Sequence, residues 1–271
     1  MLSNSLVENS MKKILPYVFC GAVLIAACVF LTACRTTASA PAKSAPLLVG
    51  VCPDYPPLMF RQNDRILGAE VDFASELGKA LGRQVRFFEI RWEDQIDALL
   101  QRRIDIIMSG MTITDARKVR IAFSAPYLKL GIMPLVRSRD AEKYANPENI
   151  FDGNARIGVK KGSTADVFAN RNCRSSAISY VQPTDAHFFL VNRRIDVYLH
   201  DGPGVIWIAA EHEADLEAIR RPLTQDEIAW GMRKDDQDLL AEVNRVLAKW
   251  KRDGTLQRIL DKWLPDAPEQ N

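Results

Sequence analysis

After residue 46 the chain alternates short apolar runs with segments of helical period. Residues 47–51, LLVGV, form an apolar run stopped by the turn-rich CPDYPP, which predicts a buried strand. Residues 70–82, EVDFASELGKALG, carry apolar side chains at helical spacing and end on Gly82, the pattern of an amphipathic helix. QVRFFEI (84–90) predicts a strand, WEDQIDALLQRR (92–103) a second helix and IDIIMSG (104–110) a buried strand. From Arg156 the same order begins again. RIGVKKG (156–162) reads as a strand with a glycine turn, and STADVFANR (163–171) as a helix opened by Ser and Thr. SAISYV (176–181), TDAHFFLVNRR (184–194) and IDVYLHD (195–201) then repeat strand, helix and buried strand. Strands alternating with helices predict an α/β fold with parallel sheets.

The two halves also share letters. Arg-Arg-Ile-Asp occurs at 102–105 and again at 193–196, each time where a helix passes into an apolar strand. Two similar α/β lobes imply a cleft between them. The C-terminal ends of their strands, where open α/β sheets bind ligands, should face that cleft.

The first 45 residues stand apart. Lys12 and Lys13 precede nineteen uncharged residues, ILPYVFCGAVLIAACVFLT (14–32). A basic start followed by an apolar run is the form of a secretory signal, although the run is also long enough to remain as a membrane span. LTAC (31–34) is similar to a bacterial lipobox, which implies a signal peptide over 1–33, cleaved before a lipidated Cys34. Met11 or Met1 could be the start. RTTASAPAKSAP, rich in Ala, Ser, Thr and Pro, reads as a flexible tether over 34–45. The folded part is therefore expected outside the cytoplasm, held to a membrane at its N-terminus.

The 271 residues are 47% hydrophobic and 26% charged, with a net charge of +2, which suits a folded protein of one large or two small domains. Basic and acidic residues are interspersed, so nucleic acid is not an expected partner. No CxxC, HExxH or Cys/His cluster has metal-ligand spacing, and no cofactor is called for. Of the five cysteines, Cys52 and Cys173 belong to the folded part. They fall in different halves, and a disulfide between them is not the expectation.

Six segments resemble the bacterial extracellular solute-binding proteins of family 3, the polar amino acid-binding components of ABC importers: VGVCPDYPPLMF, ILGAEVDFASELGKALG, WEDQIDALLQRRIDIIMSGMTITDARKVRIAFSAPY, IGVKKGST, RRIDVYLHDGP and LLAEVNRVLAKWKRDGTLQRILDKWL. SGMTITDARKVRIAFSAPY is the most specific. The resemblance implies a two-lobed periplasmic-binding-protein fold, each lobe a mainly parallel sheet flanked by helices, joined by two crossing strands. It places lobe one at 46–134 plus 229–271 and lobe two at 135–228. It further implies a monomer that captures an amino acid and delivers it to a permease.

A free amino acid presents a carboxylate and an ammonium, and a closed cleft must pair both, because an unpaired buried charge is costly. Arg117 stands at the family's carboxylate-binding arginine, whose planar fork suits two parallel hydrogen bonds. Gly110 and Thr112 precede it at the strand end, while Thr114 and Asp115 read as helix caps. Asp201, at the end of the second buried strand, matches the family's ammonium acceptor. Tyr55 and Trp92 are candidates for packing on the ligand's carbons. Ser163 and Thr164 open a helix, where N–H groups favour an anion, although simple capping also explains them. Trp207, Trp230, Trp250 and Trp263 read as core or interlobe packing.

Binders of Lys or Arg in this family usually carry an acid where this chain has Cys52. Asp54, two positions on, could stand in for that acid but reads first as a turn residue. Lys160 and the pair His200-Asp201 resemble the glutamine-binding members, which however also carry an acid at the Cys52 position, so the match is partial; a glutamine-like ligand is favoured beside other polar amino acids. The rival is a periplasmic cyclohexadienyl (prephenate/arogenate) dehydratase on the same fold, for which Glu70 or Glu227 would have to serve as the acid.

Overall fold

The computed structural model describes residues 45–151, 154–173 and 178–264. The expected signal peptide, the lipid site Cys34 and all but the last residue of the expected tether lie outside the described residues. Among the described residues no helix is long and apolar enough to cross a membrane.

Strand β1 (Leu47–Val51) is followed by the small antiparallel sheet β2 (Asp54–Tyr55), β3 (Met59–Gln62) and β4 (Arg65–Leu67). Helix α1 (Ala69–Leu81) ends on Gly82 at φ +63°, a left-handed cap that glycine adopts without strain. Then come β5 (Val85–Glu89), α2 (Gln95–Leu100), β6 (Ile106–Ile107), the one-turn α3 (Asp115–Lys118) and β7 (Ala122–Phe123). The first crossing strand, β8 (Leu128–Leu130), leads into the second lobe. That lobe contains β9 (Ile132–Arg137), α4 (Ala141–Tyr144), α5 (Glu148–Phe151), β10 (Ile157–Val159), α6 (Thr164–Asn172), β11 (Ile178–Tyr180), α7 (Ala186–Val191), β12 (Val197–Asp201), α8 (Gly202–Glu211) and β13 (Leu216–Ala218). The return strand β14 (Asp226–Ile228) pairs antiparallel with β8, and the chain re-enters the first lobe through β15 (Gly231–Met232), α9 (Gln237–Asp253) and α10 (Thr255–Trp263).

The two sheets have the same plan. Their orders are β5-β1-β6-β15-β7 and β11-β10-β12-β9-β13. In each, the first three strands are parallel and the fourth runs against both neighbours. The inner parallel strands β1, β6, β10 and β12 are buried nearly throughout, as burial between helices requires, while the edge strands β5 and β11 are partly exposed. The first lobe's core gathers Phe73 of α1, Tyr127, Trp230 and Trp250, the last on the inner face of α9. The second lobe has apolar cores on either side of its sheet, around Val159 and Val197 and around Tyr198 and Leu190. With both faces covered, each sheet leaves its strand ends as the place to display polar groups.

Candidate ligand-binding site

Strand ends from both lobes meet at one cavity of about 20 Å³. The first lobe contributes Tyr55 from β2, Trp92 from the turn before α2, Gly110 and Thr112 beyond β6, and Arg117 from α3. The second contributes Lys160 beyond β10, Ser163 and Thr164 at the start of α6, and His200 and Asp201 at the end of β12. The structure thus brings all ten predicted residues to one place and adds Asp54 and Ser109. The volume holds roughly one water, far less than an amino acid.

Local sequence explains how each side chain is set. Gly110 has φ +65°, and a Cβ there would lie 2.9 Å from the Tyr55 ring, so only glycine lets the tyrosine pack on the backbone. The Gly110 amide donates to Glu70 Oε1 at 2.7 Å. The Thr114 hydroxyl caps α3 by accepting from the Arg117 amide at 3.2 Å, which fixes the turn that carries Arg117. One arm of the Arg117 guanidinium donates to the Thr112 carbonyl at 2.8 Å, and its centre lies 5.1 Å from the centre of the Trp92 ring. Burial lowers the Arg117 pKa, yet a guanidinium stays charged.

Across the cleft, the Ser163 hydroxyl caps α6, accepting from the Asp166 amide at 3.1 Å. The Trp92 indole donates to the Gly162 carbonyl at 3.2 Å, tying the lobes together. His200 Nδ1 accepts from the Asp201 amide at 2.6 Å, which leaves the proton on Nε2. That nitrogen is buried without a partner among the described residues. Burial, aided by the charge of Lys160, pushes the His200 pKa down to about 3, so the ring is a neutral donor. Asp201 is pushed up to about 7, chiefly by burial, with Asp226 adding to the rise and Tyr55, Arg117 and Lys160 opposing it. Its carboxylate is held in a place that favours the neutral acid until a cation arrives.

Asp54 corrects the reading from sequence. It is not a mere turn residue: both its oxygens accept from Lys160 Nζ, at 2.7 and 2.6 Å, across the cleft. The signal lay in an acid beside Tyr55, but CPDYPP hid it as turn chemistry. Ser109 also passed unnoticed, although it sits between Met108 and the predicted Gly110. Cys52 and Cys173 are both free thiols. Cys52 lies 3.8 Å from Lys160 Nζ, and burial pushes its pKa up to about 12, so it is uncharged.

Neither candidate catalytic acid reaches the cavity. Glu70 is fully buried behind Gly110, and its oxygens also accept from Tyr127 Oη at 2.7 Å and Trp230 Nε1 at 2.8 Å. Glu227 is exposed on β14. Among the described residues no group of His, Cys, Asp and Glu could hold a metal. A larger groove of about 1100 Å³ opens beside the crossing strands, lined by Trp207 and Trp263, which pack on Phe60 at ring distances of 5.5 and 5.9 Å. It contains none of the ten residues and no arginine to pair a carboxylate, so size alone does not make it the site.

Residues 47–266 match the family model for bacterial extracellular solute-binding proteins, family 3. The chain belongs to that family. It is similar to an L-cystine-binding protein of Escherichia coli K12, with 29% identity over 219 residues covering 80% of this chain and 82% of the relative. Among solved structures it is similar to an ancestral amino acid-binding protein described as a precursor of cyclohexadienyl dehydratase (32% identity, TM-score 0.73, covering 80% of this chain and 94% of the other). It is also similar to a binding component of an ABC transporter from Wolinella succinogenes complexed with lysine (27% identity, TM-score 0.77, covering 83% and 97%). Membership makes the protein a two-lobed solute-binding protein of the extracellular kind, not an enzyme.

Proposed function

We propose that the protein captures a polar amino acid in this cavity and presents it to the permease of an ABC importer. The observation that carries the reading is Arg117 and Asp201 facing one cavity from opposite lobes, a cation for the α-carboxylate and an acid for the α-ammonium. Thr112 and the α6 N-terminus, with Ser163 and Thr164, add polar partners, and Tyr55 and Trp92 enclose the carbons. The relatives do not select the side chain, since one is named for cystine and one structure holds lysine. The far end of the pocket favours a glutamine-like ligand: neutral His200 Nε2 and Lys160 offer donors and Asp54 an acceptor, which together suit a carboxamide.

Thermal shift against the free amino acids, cystine, prephenate and arogenate tests this. A ligand at about 100 times its dissociation constant stabilises by about 2.7 kcal/mol, and glutamine is expected to give the largest shift. Turnover of either ring compound, followed by mass spectrometry, would move the reading to the dehydratase. We also propose that Cys34 is the lipidated N-terminus of the mature chain. Intact-mass measurement of membrane-extracted protein should find no residue before it.

A further inference from the structure

We infer that Glu70 is a positioning residue for the ligand site: its one buried carboxylate fixes the cleft wall at Gly110 to the roots of both crossing strands. The inference rests on the amino-acid reading above.

Glu70 lies in the first turn of α1, is fully buried and does not line the cavity. Its three partners belong to three separate segments. The Gly110 amide comes from the cleft wall, Tyr127 stands immediately before the crossing strand β8, and Trp230 stands two residues beyond the return strand β14. The Tyr127 and Trp230 rings are themselves stacked, with centres 5.2 Å apart. The backbone repeats the connection. The Ile113 amide donates to the Glu227 carbonyl at 2.8 Å and the Ala229 amide to the Met111 carbonyl at 3.1 Å, so the segment that carries Thr112 is laddered onto the return strand. The Tyr127 amide donates to the Ile228 carbonyl at 3.0 Å, which joins the two strand roots. An amide and an indole N–H can only donate, so this place calls for an acceptor with two oxygens. Packing alone would not need a charge here, since a buried charge is costly unless it is fully hydrogen-bonded. The site does need a fixed root. Arg117 and Thr112 stand on one lobe and Asp201 on the other, so both ends of a zwitterion are gripped only if the crossing strands deliver the second lobe at the right distance from Gly110 and Thr112. Binding constellations tolerate displacements of only about 0.5 Å.

Three variants separate positioning from packing. Glu70→Gln keeps the shape but sets an amide NH2 against the Trp230 indole or the Gly110 amide, donor against donor. Tyr127→Phe removes a single hydroxyl. Leu247→Ala, elsewhere in the same core, lowers stability without touching the carboxylate's three donors. All three should melt lower than the parent. Isothermal titration is done where melting curves show every variant folded, with glutamine and with each other free amino acid that the parent binds. Glu70→Gln should weaken all of these ligands together by about 5- to 150-fold, the usual range of coupling between separate sites. Tyr127→Phe should fall toward the lower end of that range. Leu247→Ala should bind as the parent does, and the ratios between ligands should stay constant throughout. Affinity within threefold of the parent in Glu70→Gln or in Tyr127→Phe makes the network mere packing and overturns the inference. So does a Leu247→Ala variant that loses as much affinity, since instability alone would then explain the loss. A change in the ratios overturns it too, because Glu70 would then act on the ligand itself. If Glu70→Gln fails to fold, Tyr127→Phe decides alone. A parent that binds none of the free amino acids fails the underlying reading instead, and the inference falls with it.

Discussion

Arg102 follows α2 at φ +59°, and Arg193 follows α7 at φ +54°. Each amide donates to the carbonyl three residues back, Leu99 and Leu190, at 3.0 Å. The aspartate closing each RRID then accepts from the amide of a neighbouring strand: Asp105 from Leu48 and Asp196 from Arg156, both at 3.1 Å. Beneath each helix end lies a buried arginine. Arg233 donates to the carbonyls of Leu99 and Ile104 and to Asp105, and Arg137 donates to those of Leu190 and Ile195 and to Asp196. Gly50 and Gly158 complete the match, since a Cβ on either would strike Cδ1 of Ile104 or Ile195 at 2.3 and 2.5 Å. The repeated letters therefore specify the same frame twice. The far strand ends differ: one lobe arrives at Ser109-Gly110 and the other at His200-Asp201. Two copies of one frame hold unlike chemistry against each other, which a zwitterion requires and two identical lobes could not supply.

The largest effect should come from breaking the unlike ends. Arg117→Ala leaves a ligand carboxylate buried without its main partner, which typically costs about 3–5 kcal/mol, or roughly 150- to 5,000-fold in affinity. Arg117→Lys should restore little, because a point charge lacks the bidentate fork. Titration with the ligand found by screening measures both, and binding by Arg117→Ala within threefold of the parent would place the carboxylate elsewhere.

Breaking the shared frame should instead cost stability, and by similar amounts in the two lobes. Arg233→Ala and Arg137→Ala each remove the side-chain donor from the Ile104 or Ile195 carbonyl, and take one of several donors from the helix-end carbonyl and from the aspartate. An unsatisfied buried group costs about 1–3 kcal/mol, so each variant should lose about 1–3 kcal/mol in urea unfolding. A cost confined to one lobe would show that the two junctions are alike in shape only.

Much of this frame was legible. Element order followed from apolar period, and the RRID pair marks the equivalent junctions in the sequence itself. The ten cavity residues came from motif positions. What stayed hidden needed three dimensions. Arg137 and Arg233 close or follow strands, where a charge reads as the solvated end; only the fold puts a helix C-terminus over each. Asp54 was hidden because prolines and an aspartate together signal a turn, and its partner lies more than a hundred residues away in the other lobe.

Proton linkage sharpens the contrast between the cleft ends. Burial disfavours the charge of Asp201 and pushes its pKa up to about 7. Its folded pKa is above the unfolded value of about 3.9, so between pH 7 and 4 the folded state binds the extra proton. By this group alone the ligand-free protein grows more stable as pH falls through that window. Ligand binding runs the other way, since the ammonium needs the carboxylate ionised. Affinity should be flat above pH 8 and about 100-fold weaker at pH 5, two units below a pKa of about 7. Asp201→Asn should bind more weakly at pH 8 and lose this dependence, whereas Arg117→Lys should keep it. Titrations across pH 5–8 decide, and a parent profile that is flat would remove Asp201 from the ammonium site.

The smallest effect tests whether the two junctions are energetically equal. Arginine in the left-handed region carries about 1 kcal/mol or more of strain that glycine avoids, offset in part by the greater freedom glycine loses on folding. Arg193 makes no ion pair among the described residues, so Arg193→Gly should gain about 0.5–1 kcal/mol. Arg102 differs. It pairs with Asp235, and with Asp236 at 3.7 Å, and exposed pairs of this kind contribute about 0–1 kcal/mol. Arg102→Gly loses them while relieving the same strain, so its net change should be close to zero. On a fold of this size the first variant should melt roughly 1–3 °C higher and the second within error of the parent. Adding salt should narrow the gap, because screening weakens the Arg102 pairs in the parent and leaves the backbone strain untouched. Equal gains at low salt would mean that the Asp235 and Asp236 pairs contribute nothing and that the two junctions are the same in energy as well as in form.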